Sequence, residues 1–331
     1  MAKVLVTGGA GYVGSVCCSE LLASGHEVTI LDDLSTGHIE AVPAGAEFIR
    51  LDISDRHRLE QTIAHRRFDV VFHFAAKALI AESVTNPGTF FDANVSVGIG
   101  FLEVLRKAQV RNFVFSSSAA VYGNPQQVPI PEDHPKDPVN AYGESKLMLE
   151  RVLQWYASAY GWSVVAFRYF NACGAHGLFG ERHSPETHII PLLLHTASGQ
   201  RERFAIFGDD YPTPDGTCLR DYVHVRDISG AHLLALRVMN DPGFRAYNIG
   251  TGTSFSVREI VSAAEQVTGK KIETVLVGRR AGDPAVLCAS ATKIEREFGW
   301  KAKHSDLRCI LESAWEWERS NLGARKQLIN S

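Results

Sequence analysis

Tyr142-Gly143-Glu144-Ser145-Lys146 sets a phenol and an amine four residues apart. On a helix both side chains leave the same face. A helix is the natural reading. Lys146, Leu147, Met148, Leu149 and Glu150 are good helix formers, and Leu149, Val152 and Leu153 continue an apolar stripe. The pair could do acid/base chemistry. A free phenol titrates near ~10 and is a poor base at neutrality, but a nearby ammonium favours the phenolate. Making phenolate common at pH 7 requires a shift of roughly three units, about 4 kcal/mol. One lysine in a partly wet site falls short of that, so a second positive charge is needed. The same spacing decorates many solvated helices, and the case rests on the elements that position the pair.

Those elements begin at the N-terminus. Lys3 to Val6 is a strand-like run. Thr7-Gly8-Gly9-Ala10-Gly11-Tyr12-Val13-Gly14 follows, then a helical pattern from Ser15 to Ser24, a second apolar run from Val28 to Leu31, and Asp32-Asp33. Strand, glycine turn, helix, strand and acid form the context a dinucleotide fingerprint requires. Gly9, Gly11 and Gly14 satisfy one glycine spacing, and Gly8, Gly11 and Gly14 a wider variant. Small residues let backbone approach a pyrophosphate, and the helix N-terminus faces its charge. Asp32 or Asp33 can accept from the adenosine ribose hydroxyls. Two acids without an arginine repel a 2'-phosphate, which favours NAD over NADP.

The alternation continues. Strand patterns end at Asp52-Ile53, at His73-Phe74-Ala75-Ala76 and at Ser116-Ser117-Ser118, with helical patterns over residues 56–65 and 87–108; the latter carries Asn94. Asp52 and Asn94 could equally be local caps. A doubly wound sheet binds its ligand at strand C-terminal ends, where Phe74, Ala75, Ala76, Ser116 and Ser118 would lie. A nicotinamide along those ends would bring its positive ring to Tyr142, supplying the missing charge.

Composition sets the outer limits. The chain has 331 residues, 45% hydrophobic and 21% charged, with a formal net charge of -3. These values suit a globular α/β protein of more than one domain and argue against a nucleic-acid footprint. No lipid-length apolar run and no signal-peptide pattern stand out, so no membrane association is expected. The six cysteines form no Cys-x-x-Cys pair, as expected of reduced thiols in a cytoplasmic protein. His176, His183, His188 and His195 match no ligand spacing, and no metal is expected.

The glycine turn, Ser118 and Tyr142-x-x-x-Lys146 together resemble the extended short-chain dehydrogenase/reductase superfamily. Leu31-Asp32-Asp33-Leu34, Ser116 to Gly123, Arg168-Tyr169-Phe170-Asn171-Ala172, Phe207 to Thr213 and Arg220-Asp221-Tyr222-Val223-His224-Val225 narrow the resemblance to its UDP-glucose 4-epimerase family. It runs from about Val4 to about Trp300. It implies a Rossmann-type doubly wound parallel sheet with a smaller α/β C-terminal substrate domain. Residues 1–171, with about 223–250 returning, would bind NAD; 172–222 and 251–331 would bind a UDP-sugar.

By that resemblance Tyr142 is the base, Lys146 lowers its pKa and holds the nicotinamide ribose, and Ser118 bonds the sugar 4-oxygen. The cofactor set is Gly8, Gly11, Tyr12, Val13, Gly14, Asp32, Asp33, Asp52, Ile53, Phe74, Ala75, Ala76, Asn94, Ser116, Tyr142, Lys146 and Phe170. The substrate set adds Tyr169, Asn171, His188, Phe204, Phe207, Arg220, Arg280, Asp283 and Leu287. Arg220 could alternatively bridge Asp221 or Asp227. Related 4,6-dehydratases carry an acidic pair where Ser118-Ala119-Ala120 stands, which disfavours elimination. Leu287 stands where residue size tunes the sugar 2-substituent, leaving UDP-N-acetylglucosamine, UDP-xylose or UDP-glucuronate open as alternatives to UDP-glucose. A non-catalytic NAD or sugar-nucleotide sensor and an ordinary NAD dehydrogenase are the other readings. A homodimer through the helices near 87–108 and 142 is implied.

Overall fold

The computed structural model describes residues 1–280 and 282–329, with side chains to Asn321. β-Branched and apolar runs form six strands in the first half: β1 (Lys3–Thr7), β2 (Glu27–Asp32), β3 (Glu47–Arg50), β4 (Val70–His73), β5 (Asn112–Ser118) and β6 (Ser163–Tyr169). Further strands follow: β7 (Asn171–Cys173), β8 (Phe204–Phe207), β9 (Leu219–His224), β10 (Gly243–Ile249), β11 (Ser254–Ser256), β12 (Thr274–Val277) and β13 (Val286–Leu287). The order β10-β6-β5-β4-β1-β2-β3 makes a seven-stranded sheet whose pairs are all parallel. Parallel strands buried on both faces read as continuous apolar runs, as β1, β4 and β6 do. The order reverses between β1 and β4, and the crevice beyond their C-terminal ends is where a doubly wound fold receives its ligand.

Helices cover both faces. Helices Tyr12–Ala23 and Val225–Ala235 pack on one side with Val4, Val6, Leu21, Ile228 and Tyr247. Arg56–Ala64, Val97–Lys107 and Ala141–Tyr160 pack on the other with Leu5, Phe101, Phe113, Leu153 and Trp162. A smaller assembly holds β11-β9-β13 with β7 beside β9, plus the pair β12-β8, around Ile190, Leu193, Ile260 and Ile310.

The segment read as one helix over 87–108 is Pro87–Phe91, a π-turn over Asp92–Ser96, and Val97–Lys107. Contrary to the expectation of no lipid-length run, Pro87–Lys107 is long and apolar enough to cross a membrane. Half of its most apolar window is buried inside the fold, with Phe90, Phe101 and Leu105 fully enclosed, as in a core helix.

One polar network crosses this apolar frame. Glu150 and Arg168 are 0% and 1% exposed. Arg168 donates Nη2 and Nε to Glu150 at 2.6 and 2.9 Å, and Nη1 to the Tyr122 hydroxyl and the Glu132 carbonyl. Ser117 donates to Glu150 at 2.5 Å, and Tyr122 donates to Asn248 on β10. Helix Ala141–Tyr160, β5, β6, β10 and the proline-rich loop before that helix are thereby tied together. Removing one partner of a buried pair leaves an uncompensated charge, which costs about 3–5 kcal/mol. Arg168→Met should therefore lower the urea midpoint sharply, and Arg168→Met with Glu150→Leu should recover part of the loss. Unchanged midpoints for the single variant would contradict this role.

Candidate active site

The Tyr142 helix begins where sequence chemistry dictates. Asn140 caps it, its side chain accepting from Gly143 N at 2.8 Å. A Cβ on Gly143 would lie 2.5 Å from the Ala120 carbonyl oxygen, so glycine lets the helix abut the 3-10 turn Ala119–Tyr122 that follows β5. Ser118 caps that turn, accepting from Ala120 N at 3.1 Å. Alternation along β5 turns Ser117 toward Glu150 and leaves Ser116 and Ser118 partly open on the other face. Tyr142, Lys146, Ser116 and Ser118 thus converge at the strand ends.

The electrostatics differ from the simple pair first considered. Burial raises the Tyr142 pKa, and a hydrogen bond with Ser118 only partly opposes it. Lys146 is 4% exposed; burial pulls its pKa down to about 7, against a smaller upward pull from Glu150. Its Nζ donates to the Ser116 carbonyl at 2.8 Å and lies 5.8 Å from the centre of the Tyr142 ring. Burial therefore leaves the phenol above its ordinary value, in line with the reading that one lysine falls short of making it a phenolate.

The glycine turn forms a cradle. Gly8 has φ +73°, and a Cβ there would meet Ala75 N at 2.5 Å. A Cβ on Gly14 would fall 2.2 Å from the Gly8 oxygen. Gly11 caps helix Tyr12–Ala23 with no side-chain bond, and no acid stands in the first turn with Tyr12 and Val13. Its leading N–H groups are available to an anion. Asp32 takes Ala10 N on one oxygen and Leu34 N on the other, leaving each a lone pair. These features fit a dinucleotide.

The comparisons agree with this geometry. The family model described as the NAD dependent epimerase/dehydratase family matches residues 4–250. A UDP-glucose 4-epimerase of Corynebacterium glutamicum is 48% identical over 323 residues, covering 98% of this chain and 97% of that relative. The chain belongs to the NAD-dependent epimerase/dehydratase family, among its UDP-glucose 4-epimerases. The Stenotrophomonas maltophila UDP-glucose 4-epimerase structure, with bound NAD and formylated UDP-arabinopyranose, superposes with a TM-score of 0.94 at 39% identity, covering 98% of this chain and 100% of that one. The Bifidobacterium longum enzyme with NAD+ and UDP gives 0.92 at 35%, covering 97% and 99%. NAD is the cofactor of this family member.

Other singled-out residues separate into groups. Asp33 accepts from Ser35 N, and exposed Asp52 accepts from Ser54 N, both as local turns; Ile53 is half-buried beside Asp52. Phe74, Ala75 and Ala76 are half-buried past β4, beside Gly8. Asn94 has no amide proton to spare: it donates to the Lys77 carbonyl and Ser145, and accepts from Lys77 N. It therefore braces the loop after β4 instead of presenting a free donor. Tyr169 is buried beside Ser116 and Tyr142. It packs in the core and is bonded to His232, whose other nitrogen faces the Ile228 carbonyl, so Tyr169 is the donor.

On the substrate side, Phe170 is buried with Ala119, Tyr122 and Leu147, and Leu287 packs against that cluster. Asn171 donates to the Asp221 carbonyl. Leu287 pairs in register with Arg220, which bonds Asp283 at 2.5 Å. The anticipated alternative partners of Arg220 are occupied elsewhere. Asp221 serves Thr251, Gly252 and Ala289 backbone donors, and Asp227 serves Lys303, His304 and Ser305. Exposed Arg280 lies 3.9 Å over the Phe207 ring. Phe204 is set apart, because an odd spacing in a strand puts it on the opposite face from Phe207, in the smaller core. His188 caps helix Ile189–Ala197 and faces two carboxylates, Glu181 at 2.8 Å and Glu186 at 2.9 Å.

Sequence reading missed Gly143, Asn140, Glu150 and Arg168 as positioning residues. A glycine in a helix's first turn and charged residues inside apolar runs were the available signals. The pKa directions make a test. In cofactor-free protein Tyr142 should remain a phenol until above pH 10, so the phenolate absorbance difference between wild type and Tyr142→Phe should appear only there. Lys146 keeps fewer protons folded than unfolded between about 7 and about 10, so its contribution to stability should rise with pH across that window. A falling contribution, lost in Lys146→Met, would contradict the burial account.

Proposed function

We propose that this chain interconverts UDP-glucose and UDP-galactose by oxidising and re-reducing carbon 4 of the sugar. The convergence of Tyr142, Ser118 and Lys146 on the strand ends beside the dinucleotide cradle carries this reading. Bound NAD+ supplies the hydride acceptor and then the donor, together with a positive ring. The chain's own residues handle the proton and the orientation. Tyr142 as phenolate takes the proton of the 4-hydroxyl, and Ser118 hydrogen-bonds the same oxygen. Lys146 would hold the nicotinamide ribose and, in its protonated form, add positive charge. A cation beside Tyr142 offsets the desolvation that otherwise keeps it protonated. When that cation is neutralised, the proton affinity of Tyr142 rises, and the same group serves next as the acid.

The nucleotide must stay anchored while the 4-keto sugar turns over. Arg220 and Arg280 suit phosphate oxygens through forked donors, with His188 and Asn171 as further polar contacts. Phe207 offers a ring face to the base, Asp283 an acceptor for its ribose, and Leu287 a wall of intermediate size beside the sugar. We assign 1–171 with 223–250 to the cofactor unit and 172–222 with 251–331 to the substrate unit.

A homodimer is part of the proposal. Helix Ala141–Tyr160 exposes Trp155 to 75%, with Met148 and Tyr160 also exposed. A second copy laid against this face and the neighbouring 87–107 segment would cover them. Free cysteines, five of the six buried, support a reducing cytoplasmic setting.

Two measurements test these statements. Tyr142→Phe should lower turnover of UDP-galactose at least a hundredfold while NAD remains bound. Substantial turnover in that variant would sink the base assignment. The same assay without added NAD, run also with UDP-N-acetylgalactosamine, separates hexose from acetamido specificity. Product without free NADH separates epimerisation from net oxidation, and no turnover at saturating NAD would favour a sensor. Trp155→Glu should shift the mass in sedimentation from dimer to monomer; a monomeric wild type would refute the interface.

A further inference from the structure

Histidine spacing alone gives no metal pattern in 176–195, but the glutamates between them do. Glu181-x-His183 and Glu186-x-His188 are two copies of the same acid-x-histidine unit, two residues apart. The structure folds them onto each other. One carboxylate oxygen or imidazole nitrogen from each of the four lies within 4.8 Å of the others. His183 Nδ1 is 3.1 Å from Glu181 and 3.9 Å from Glu186; His188 Nδ1 is 2.8 and 2.9 Å from the same two groups. Four ligands around a tetrahedral ion with bonds near 2.0–2.2 Å are separated by about 3.3–3.6 Å. The observed separations bracket that value.

We propose that Glu181, His183, Glu186 and His188 form a site for one divalent transition-metal ion of the zinc class, His188 binding through Nδ1 and keeping Nε2 for the proposed substrate contact. Two imidazoles and two carboxylates suit zinc or cobalt, whereas calcium and magnesium prefer more oxygen ligands. Two carboxylates and a dication are together neutral. The glutamate side chains are only 7% and 8% exposed, while the imidazoles remain open at 32% and 47%, which leaves a path for entry. Glu186 is already oriented by the backbone N–H groups of Thr187 and His188, the outer support that metal ligands use.

The placement gives the ion a task. Residues 174–188 join β7 to the following helix with little regular structure beyond the bridge between His176 and Phe179. This segment lies on the glycine turn: the Tyr12 hydroxyl donates to the Gly174 carbonyl at 2.5 Å, and His38 Nε2 donates to the Arg182 carbonyl at 2.9 Å. His183 stands edge-on to the Tyr12 ring. An ion gripping both ends of Glu181–His188 removes chain entropy from a connection that has no helix or strand of its own. It staples the segment across the cofactor cradle.

The test uses untagged, full-length, NAD-loaded protein stripped with a chelator. Titrating Co2+ should give visible bands of tetrahedral intensity saturating at one equivalent, and calorimetry with Zn2+ the same stoichiometry. His183→Ala, outside the proposed catalytic and substrate contacts, should weaken Zn2+ at least tenfold. Zn2+ should raise the melting temperature of wild type and leave that of the variant unmoved. Should His183→Ala fold poorly, Glu181→Gln provides the same comparison. Equal Zn2+ affinity in wild type and folded variant, or no Co2+ bands, leaves two carboxylate–imidazole ion pairs and overturns the site.

Discussion

A carboxylate and a guanidinium sealed from water hold the reacting elements together. Glu150 sits one turn beyond Lys146 on the Tyr142 helix, and Arg168 sits on β6. Their contact ties that helix to the sheet, while Ser117 ties the same carboxylate to β5 one residue before Ser118. Such a pair is weak evidence of stability by itself, because desolvating two charges offsets most of their attraction. It specifies geometry instead: only one helix position satisfies Glu150, Ser117 and Arg168 at once. Tyr122 and Asn248 extend the restraint to β10, so part of the chain more than a hundred residues away fixes where Ser118 and Tyr142 meet.

The site built on this frame is electrostatically unfinished without its cofactor. Burial raises the phenol and lowers the amine, so both groups favour their neutral forms more than they would in water. That condition makes Tyr142 responsive to an added positive charge in a low-dielectric crevice. It also explains why a tyrosine and lysine four residues apart cannot be judged from spacing: the sign of the net shift depends on how deeply the helix is sunk against the strand ends.

The smaller sheet meets the larger one close to the reacting residues. Leu287 packs against the cluster around Phe170 and pairs with Arg220, joining the smaller sheet to the reacting end of the larger one. The Arg220–Asp283 contact and the Arg280–Phe207 stack pair groups that the proposal assigns to different parts of one nucleotide. Substrate binding would therefore exchange internal contacts for ligand contacts, with no need for new charged groups to be brought in.

The sequence by itself determined the large fold, because parallel-strand burial and glycine-turn sterics are local requirements written in consecutive residues. The run from Lys3 to Asp32 needed little beyond periodicity and glycine placement, and its helix starts at Tyr12, three residues before the pattern suggested. Tyr142, Lys146 and Ser118 were legible as candidates for the same reason. Tertiary structure alone decided which side chains face the crevice. Phe204 turns into a core, and Asn94 spends its amide on the Lys77 loop; strand parity and remote partners such as Ser145 set those outcomes. It also decided the close approach of Gly143 to Ala120 and the meeting of Glu181, His183, Glu186 and His188, because contacts made through folding are not encoded in any single window of the chain.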